Sequence, residues 1–103
     1  MEKNMIKYAL FARFEAKPGK ESAVADFLHT GLTLAKQEPG TKYWFALRLS
    51  ESVFGVFDAF ETDEARQGHL NGPIAQALMA QAPELFASPP SIEPIEVLGL
   101  KAA

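Results

Sequence analysis

Residues Thr41 to Glu61, TKYWFALRLSESVFGVFDAFE, decide the fold. Apolar and polar residues alternate on either side of Ser50-Glu51-Ser52, a polar turn of hairpin length. Thr41 to Leu49 therefore reads as one strand, with Tyr43, Phe45, Leu47 and Leu49 on one face and Lys42, Trp44, Ala46 and Arg48 on the other. Val53 to Glu61 reads as the next strand, with Phe54, Val56, Asp58 and Phe60 opposed to Val53, Gly55, Phe57 and Ala59.

Upstream, Pro39-Gly40 ends a helix expected over Glu21 to Gln37, whose Val24, Phe27, Leu28, Gly31, Leu34 and Ala35 follow helical spacing. Lys17-Pro18-Gly19-Lys20 is a turn between that helix and a first strand, Met5 to Glu15. Downstream, Thr62 is placed to cap a short helix from Asp63 to about Leu70, with Asp63 and Glu64 near its positive end. Asn71-Gly72 breaks it, and Pro73 opens a second helical segment to Phe86, which Pro83 should kink or end. Ser91 to Leu100 reads as the last strand, and Pro94 within it argues for an edge position or a bulge. The order β-α-β-β-α-β implies an α+β, ferredoxin-like fold: a four-stranded antiparallel sheet with helices on one face, formed by a single domain over residues 1–103.

Composition narrows the function classes. The chain has 103 residues, 48% hydrophobic and 22% charged, with a net charge of -3, which excludes a disordered or strongly basic nucleic-acid-binding chain. It has no cysteine, so disulfides, thiolate metal sites and cysteine nucleophiles are excluded. Met1 to Lys7 lacks the long apolar stretch of a signal peptide, and runs such as Tyr43 to Leu47 are far too short to span a bilayer. A cytoplasmic protein that engages neither membrane nor nucleic acid is expected.

Helices on one face leave the other uncovered, and an open antiparallel face should read polar. Here Met5, Ala9 and Phe11 of the first strand and Val53, Phe57 and Ala59 of the third make it apolar. A patch of that size is more than a monomer ordinarily exposes, so a homodimer with the two sheets packed face to face is expected.

The stretch Phe54-Gly55-Val56-Phe57-Asp58-Ala59-Phe60, followed by Asp63-Glu64-Ala65-Arg66 and His69-Leu70-Asn71-Gly72-Pro73, resembles the antibiotic biosynthesis monooxygenase family of dimeric α/β-barrel proteins, which includes quinol monooxygenases. Ala16-Lys17-Pro18-Gly19-Lys20-Glu21 and Glu38-Pro39-Gly40-Thr41 are similar to it as well, so the resemblance spans nearly the whole chain. It implies a cofactor-free oxygenase acting with O₂ on a small hydroxylated aromatic, such as a quinol or anthrone, in a dry aromatic cavity. The alternative is a non-catalytic dimeric barrel that binds an apolar metabolite or serves in stress response. The related haem-degrading branch fits poorly: Phe60 stands where that branch has Trp, and no Asn lies near Ala12. His69 matches a histidine common in the family, Asp58 stands where many members have Glu, and Ile74 replaces a second histidine.

Two residues are the candidates for catalysis. Asp58 is a lone carboxylate on an apolar strand face, fit to act as a base, to orient His69, or to pair with Arg13 or Arg48. His69 follows it after a capped turn and about two helical turns, so the two side chains can approach across the helix–sheet cavity, with His69 as the base. Phe14, Trp44, Phe54 and Phe60 are the candidate substrate-binding residues, although Trp44 equally suits a dimer core. His29 lies off the apolar stripe of its helix and should be solvated. Two distant histidines make no metal site, no P-loop or GxGxxG motif is present, and no serine has a triad-like setting, so no metal or other cofactor is expected.

Overall fold

The computed structural model describes residues 5–103; the reading of Met1 to Asn4 lies outside the described residues. The elements run β1 (Tyr8–Glu15), α1 (Glu21–Ala35), β2 (Thr41–Arg48), β3 (Val53–Phe60), α2 (Asp63–Leu70), α3 (Pro73–Leu85) and β4 (Ser91–Glu96). One four-stranded sheet has the order β2-β3-β1-β4, with every neighbouring pair antiparallel. This is the ferredoxin-like arrangement, with the helices packed on one face.

Where the strands end is set by what they pair with. β1 begins at Tyr8 rather than Met5 because Tyr8 already faces Phe60, the last residue of β3. β4 stops at Glu96, short of Leu100, because Glu96 faces Tyr8 and β1 offers nothing further. A single bond from the Val97 N–H to the Lys7 carbonyl, 2.9 Å, finishes that seam. Pro94 sits on the edge strand, where its missing N–H costs no ladder bond on the open side.

The turn before α1 has Gly19 at φ 84°, with Pro18 ahead of it and the Lys20 N–H on the Lys17 carbonyl, as a type II turn requires. α1 buries Val24, Leu28, Gly31 and Ala35, one face of a 3.6-residue period. It ends at Ala35, two residues earlier than Gln37, because the Gln37 and Glu38 N–H groups bond three residues back, to Leu34 and Ala35. α2 is capped as its sequence implies: the Thr62 hydroxyl accepts from the Ala65 N–H at 3.0 Å. α3 runs through Pro83 to Leu85. The proline deprives only the carbonyl of Met79, which is an exposed residue, so the helix neither ends nor breaks there.

The main core lies between sheet and helices. Phe14, Phe54 and Val56 meet Leu28 of α1 and Leu78 and Leu85 of α3. Each such side chain stabilises the fold by roughly 1.5–3 kcal/mol relative to exposure. Phe86 stacks on Phe14, with ring centroids 4.8 Å apart, and an isolated bridge between Ala16 and Phe86 ties the end of α3 to the end of β1. On the opposite face Ala9 and Ala59 are buried under Tyr43, Phe57 and Ile95, while Phe45 remains 49% exposed. Among the described residues no helix is long and apolar enough to cross a membrane.

Candidate active site

The end of β3, the start of β2 and the last turn of α2 converge at one end of the sheet. The β2–β3 register places Thr41 opposite Phe60 and Trp44 opposite Asp58. Both Trp44 and Asp58 therefore point to the helix side. The tight turn after α1 delivers Glu38 to the same place, held by the Thr41 N–H on its carbonyl at 3.2 Å. The loop lies close against α2: a methyl group on Gly40 would come within 3.2 Å of Ala65 Cβ.

His69 is the hub. Its Nε2 lies 2.9 Å from Asp58 Oδ2 and its Nδ1 2.8 Å from Glu38 Oε1. The Thr41 hydroxyl donates to the same Glu38 oxygen at 2.7 Å. Ionised carboxylates only accept, so this arrangement favours a ring that carries hydrogen on both nitrogens, the imidazolium form. Phe60, fully buried, tilts against the imidazole with ring centroids 5.4 Å apart and closes it off behind. Neither Arg13 nor Arg48 pairs with Asp58: Arg13 lies exposed on the open-face register, and Arg48 donates to the carbonyls of Ser50 and Glu51.

Burial opposes charge on both partners. For His69 the bonds and charges of Asp58 and Glu38 outweigh burial, and its pKa is raised above the usual 6.5. For Asp58 burial dominates; the His69 bond and charge offset part of it, Glu38 adds to it, and the pKa is raised above 3.8. Asp58 Oδ2 is taken by His69, whereas the buried Oδ1 has no hydrogen-bond partner.

Asp58 and His69 form one wall of a cavity of about 50 Å³ whose other walls are apolar, among them Phe14, Leu28, Val56, Ile74 and Leu78. Of the expected substrate-binding residues, Phe14 and Trp44 line it. Phe54 and Phe60 do not line this cavity: Phe54 packs in the core with the Arg48 guanidinium 4.8 Å over its ring, and Phe60 backs His69. Trp44 is on the helix side, not in the open face where a dimer core would form; its ring end packs where α1 has only Gly31, and a Cβ there would lie 3.1 Å away. His29 is exposed, as its position off the stripe implies.

Neither a family model nor a curated protein sequence matches the chain. Solved structures do. The NE2512 protein of Nitrosomonas europaea, of unknown function, is 56% identical, with 98% of each chain covered and a TM-score of 0.94. A candidate antibiotic biosynthesis monooxygenase from the same organism is 15% identical over 95% of this chain and 96% of its own, with a TM-score of 0.80. A second, from Caulobacter crescentus, is 22% identical over 91% and 92%, with a TM-score of 0.70. The chain is a relative of NE2512 and shares its fold with both candidate monooxygenases. The kinship with NE2512 brings no activity with it.

The sequence points to Asp58 and His69 but not to Glu38 as their partner. The signal was present: Glu38-Pro39-Gly40-Thr41 leads into β2, whose first residue must face the last of β3 if the two form a hairpin. Among the described residues no group of three or more His, Asp or Glu side chains is arranged to hold a metal ion.

Proposed function

We propose that the chain is a cofactor-independent monooxygenase that uses O₂ to oxidise a small hydroxylated aromatic, acting as a cytoplasmic homodimer. The observation that carries the reading is Asp58: a buried carboxylate with one oxygen fixed by His69 and the other without a partner, at the wall of an apolar cavity. Its raised pKa makes it a stronger base than an exposed aspartate. Because both nitrogens of His69 are engaged, the roles expected from sequence exchange: Asp58 takes the hydroxyl proton and His69 holds Asp58 in place. The resulting aryloxide carries negative charge at a ring carbon para to its oxygen. That carbon gives up electrons to O₂ and forms a C–O bond. The O–O bond then breaks with loss of the carbon's hydrogen, and water leaves. The hydroxyarene and O₂ thus become a quinone and one water, and O₂ is the only oxidant consumed.

O₂ uptake by the colourless purified protein, measured against a panel of monocyclic hydroxyarenes, quinols and anthrones, tests the reading. Quinone should form in step with O₂ loss, and Asp58→Asn should lower the rate by about 10²–10⁴-fold, the range for removing a general base. Uptake no faster than buffer across the panel sinks it. The second reading, a barrel that only holds an apolar metabolite, is favoured by the tight closure behind His69, where Phe60 is 0% exposed. It predicts binding with no uptake.

A further inference from the structure

The cavity wall contains three polar side chains among the described residues: Asp58, His69 and Trp44. Both nitrogens of His69 are bonded to carboxylates. Two atoms are left, each buried and each without a hydrogen-bond partner: the acceptor Asp58 Oδ1 and the donor Trp44 Nε1. Their residues are direct cross-strand partners on β3 and β2, so their Cβ atoms stand about 4.5–5.5 Å apart on the same face. Leaving a buried donor and a buried acceptor both unmade is costly, and such exceptions ask for a missing occupant.

We infer that Trp44 Nε1 and Asp58 Oδ1 form a single hydroxyl-binding site, and that it selects a one-ring hydroxyarene. An aryl hydroxyl is the group that satisfies both atoms at once: its O–H donates to Asp58 Oδ1 and its oxygen accepts from the Trp44 N–H. A ketone oxygen satisfies only Trp44, and a methyl ether cannot donate to Asp58. When the proton passes to Asp58, the oxygen becomes an anion and the Trp44 bond to it strengthens, as charge-assisted bonds do. Trp44 is thereby a positioning group for the hydroxyl and a donor to the developing charge. Size sets the ring count. The cavity of about 50 Å³ is a third of the roughly 150 Å³ that an apolar site offers benzene. One ring enters with the displacement of a side chain; three fused rings would require the core to be rebuilt. The side of Trp44 is fixed, because its ring end is seated against Gly31 of α1.

This inference rests on the cavity being the substrate site but not on oxygenation. Trp44 is the chain's one tryptophan, so a ¹⁵N-labelled sample has a single indole N–H resonance. Titration under anaerobic conditions with phenol, anisole and toluene separates hydroxyl recognition from ring burial. Phenol should move that resonance downfield and saturate it, while anisole and toluene leave it within their common ring-current shift. Phenol should bind at least about tenfold more tightly than anisole, the effect of one unmade bond to a charged group. Trp44→Phe enlarges the cavity for every probe, so the ratio of phenol to toluene affinity is the readout, and it should fall about five- to tenfold. A stationary indole resonance in wild-type protein, no phenol binding, equal affinity for the three probes, or tighter binding of a three-ring hydroxyarene than of phenol each overturns the inference. Phenol binding as described without O₂ uptake removes the oxygenase reading and leaves the hydroxyl site standing. O₂ uptake with an unmoved indole does the reverse.

Discussion

Glu38 does most of its work through another residue. Its carboxylate is only about one-fifth exposed and holds His69 Nδ1 from the side opposite Asp58. Both carboxylates favour the imidazolium, and the consequence for stability follows from the direction of the shift. A histidine whose folded pKa exceeds its unfolded 6.5 stabilises the fold fully below pH 6.5, and that contribution is lost as the pH rises through the folded value. Asp58's raised pKa has the same sign at the acid end: stability present below 3.8 is lost as pH climbs through its folded value. Wild-type protein should therefore lose thermal stability between pH 6.5 and the His69 midpoint, and His69→Gln should flatten that limb. In Glu38→Gln the NMR titration midpoint of the His69 ring should fall, and the decline in stability should begin at lower pH. An unchanged midpoint in Glu38→Gln would show that the 2.8 Å contact carries no charge coupling. Asp58 and His69 were legible because a lone carboxylate on an apolar strand and a histidine two helical turns past its end have few ways to avoid each other. Glu38 was not, because it comes from a turn whose position depends on where α1 stops, and helix ends are set by local bonding rather than by periodicity.

At the scale of elements, strand identity was readable from alternation, but strand ends were not. Met5 and Leu100 continue the apolar rhythm of β1 and β4, yet the ladder ends at Tyr8 and Glu96 because pairing partners run out there. Pro83 shows the converse: a residue that breaks helices in general is tolerated where the carbonyl it deprives belongs to an exposed residue. The central pair, β1 and β3, is the least forgiving part of the sheet. Gly55 lies on β3, and a Cβ there would sit 2.9 Å from the Ala12 carbonyl oxygen and 3.2 Å from a Phe11 ring carbon. The first of these is backbone and cannot swing aside. Gly55→Ala should thus destabilise the fold by about 1–3 kcal/mol in urea unfolding, the usual effect of overpacking a tight site. A variant as stable as the parent would mean that β1 shifts freely against β3.

At the scale of the whole molecule, the described residues place no layer over one face of the sheet. Phe45 and Phe57, cross-strand neighbours with ring centroids 6.3 Å apart, stand near its centre, and Leu98 beyond β4 is 92% exposed. The apolar character of that face was plain in the alternation of β1 and β3, since a face with no helices to cover it still carried Ala9, Phe11 and Phe57. A second copy of the chain meeting it sheet to sheet should give a particle of twice the 11.3 kDa chain mass by light scattering at micromolar concentration. Phe45→Lys places a charge in the middle of that contact without touching the helix-side core, and should weaken association at least about tenfold, since unpaired buried charge is costly. A wild-type monomer removes the sheet-to-sheet pairing. A different property follows from the Tyr8–Glu96 register: the chain enters β1 and leaves β4 side by side, at the same corner of the sheet. Tension applied through these two points does not load the β1–β4 ladder in shear. It peels the edge strand away one bond at a time, like a zipper opened from its tab, so the domain offers little mechanical resistance to an unfoldase pulling there. β4 is stripped first, and the clasp of Glu38, His69 and Asp58, carried by β3, α2 and the turn before β2, is still closed when it goes.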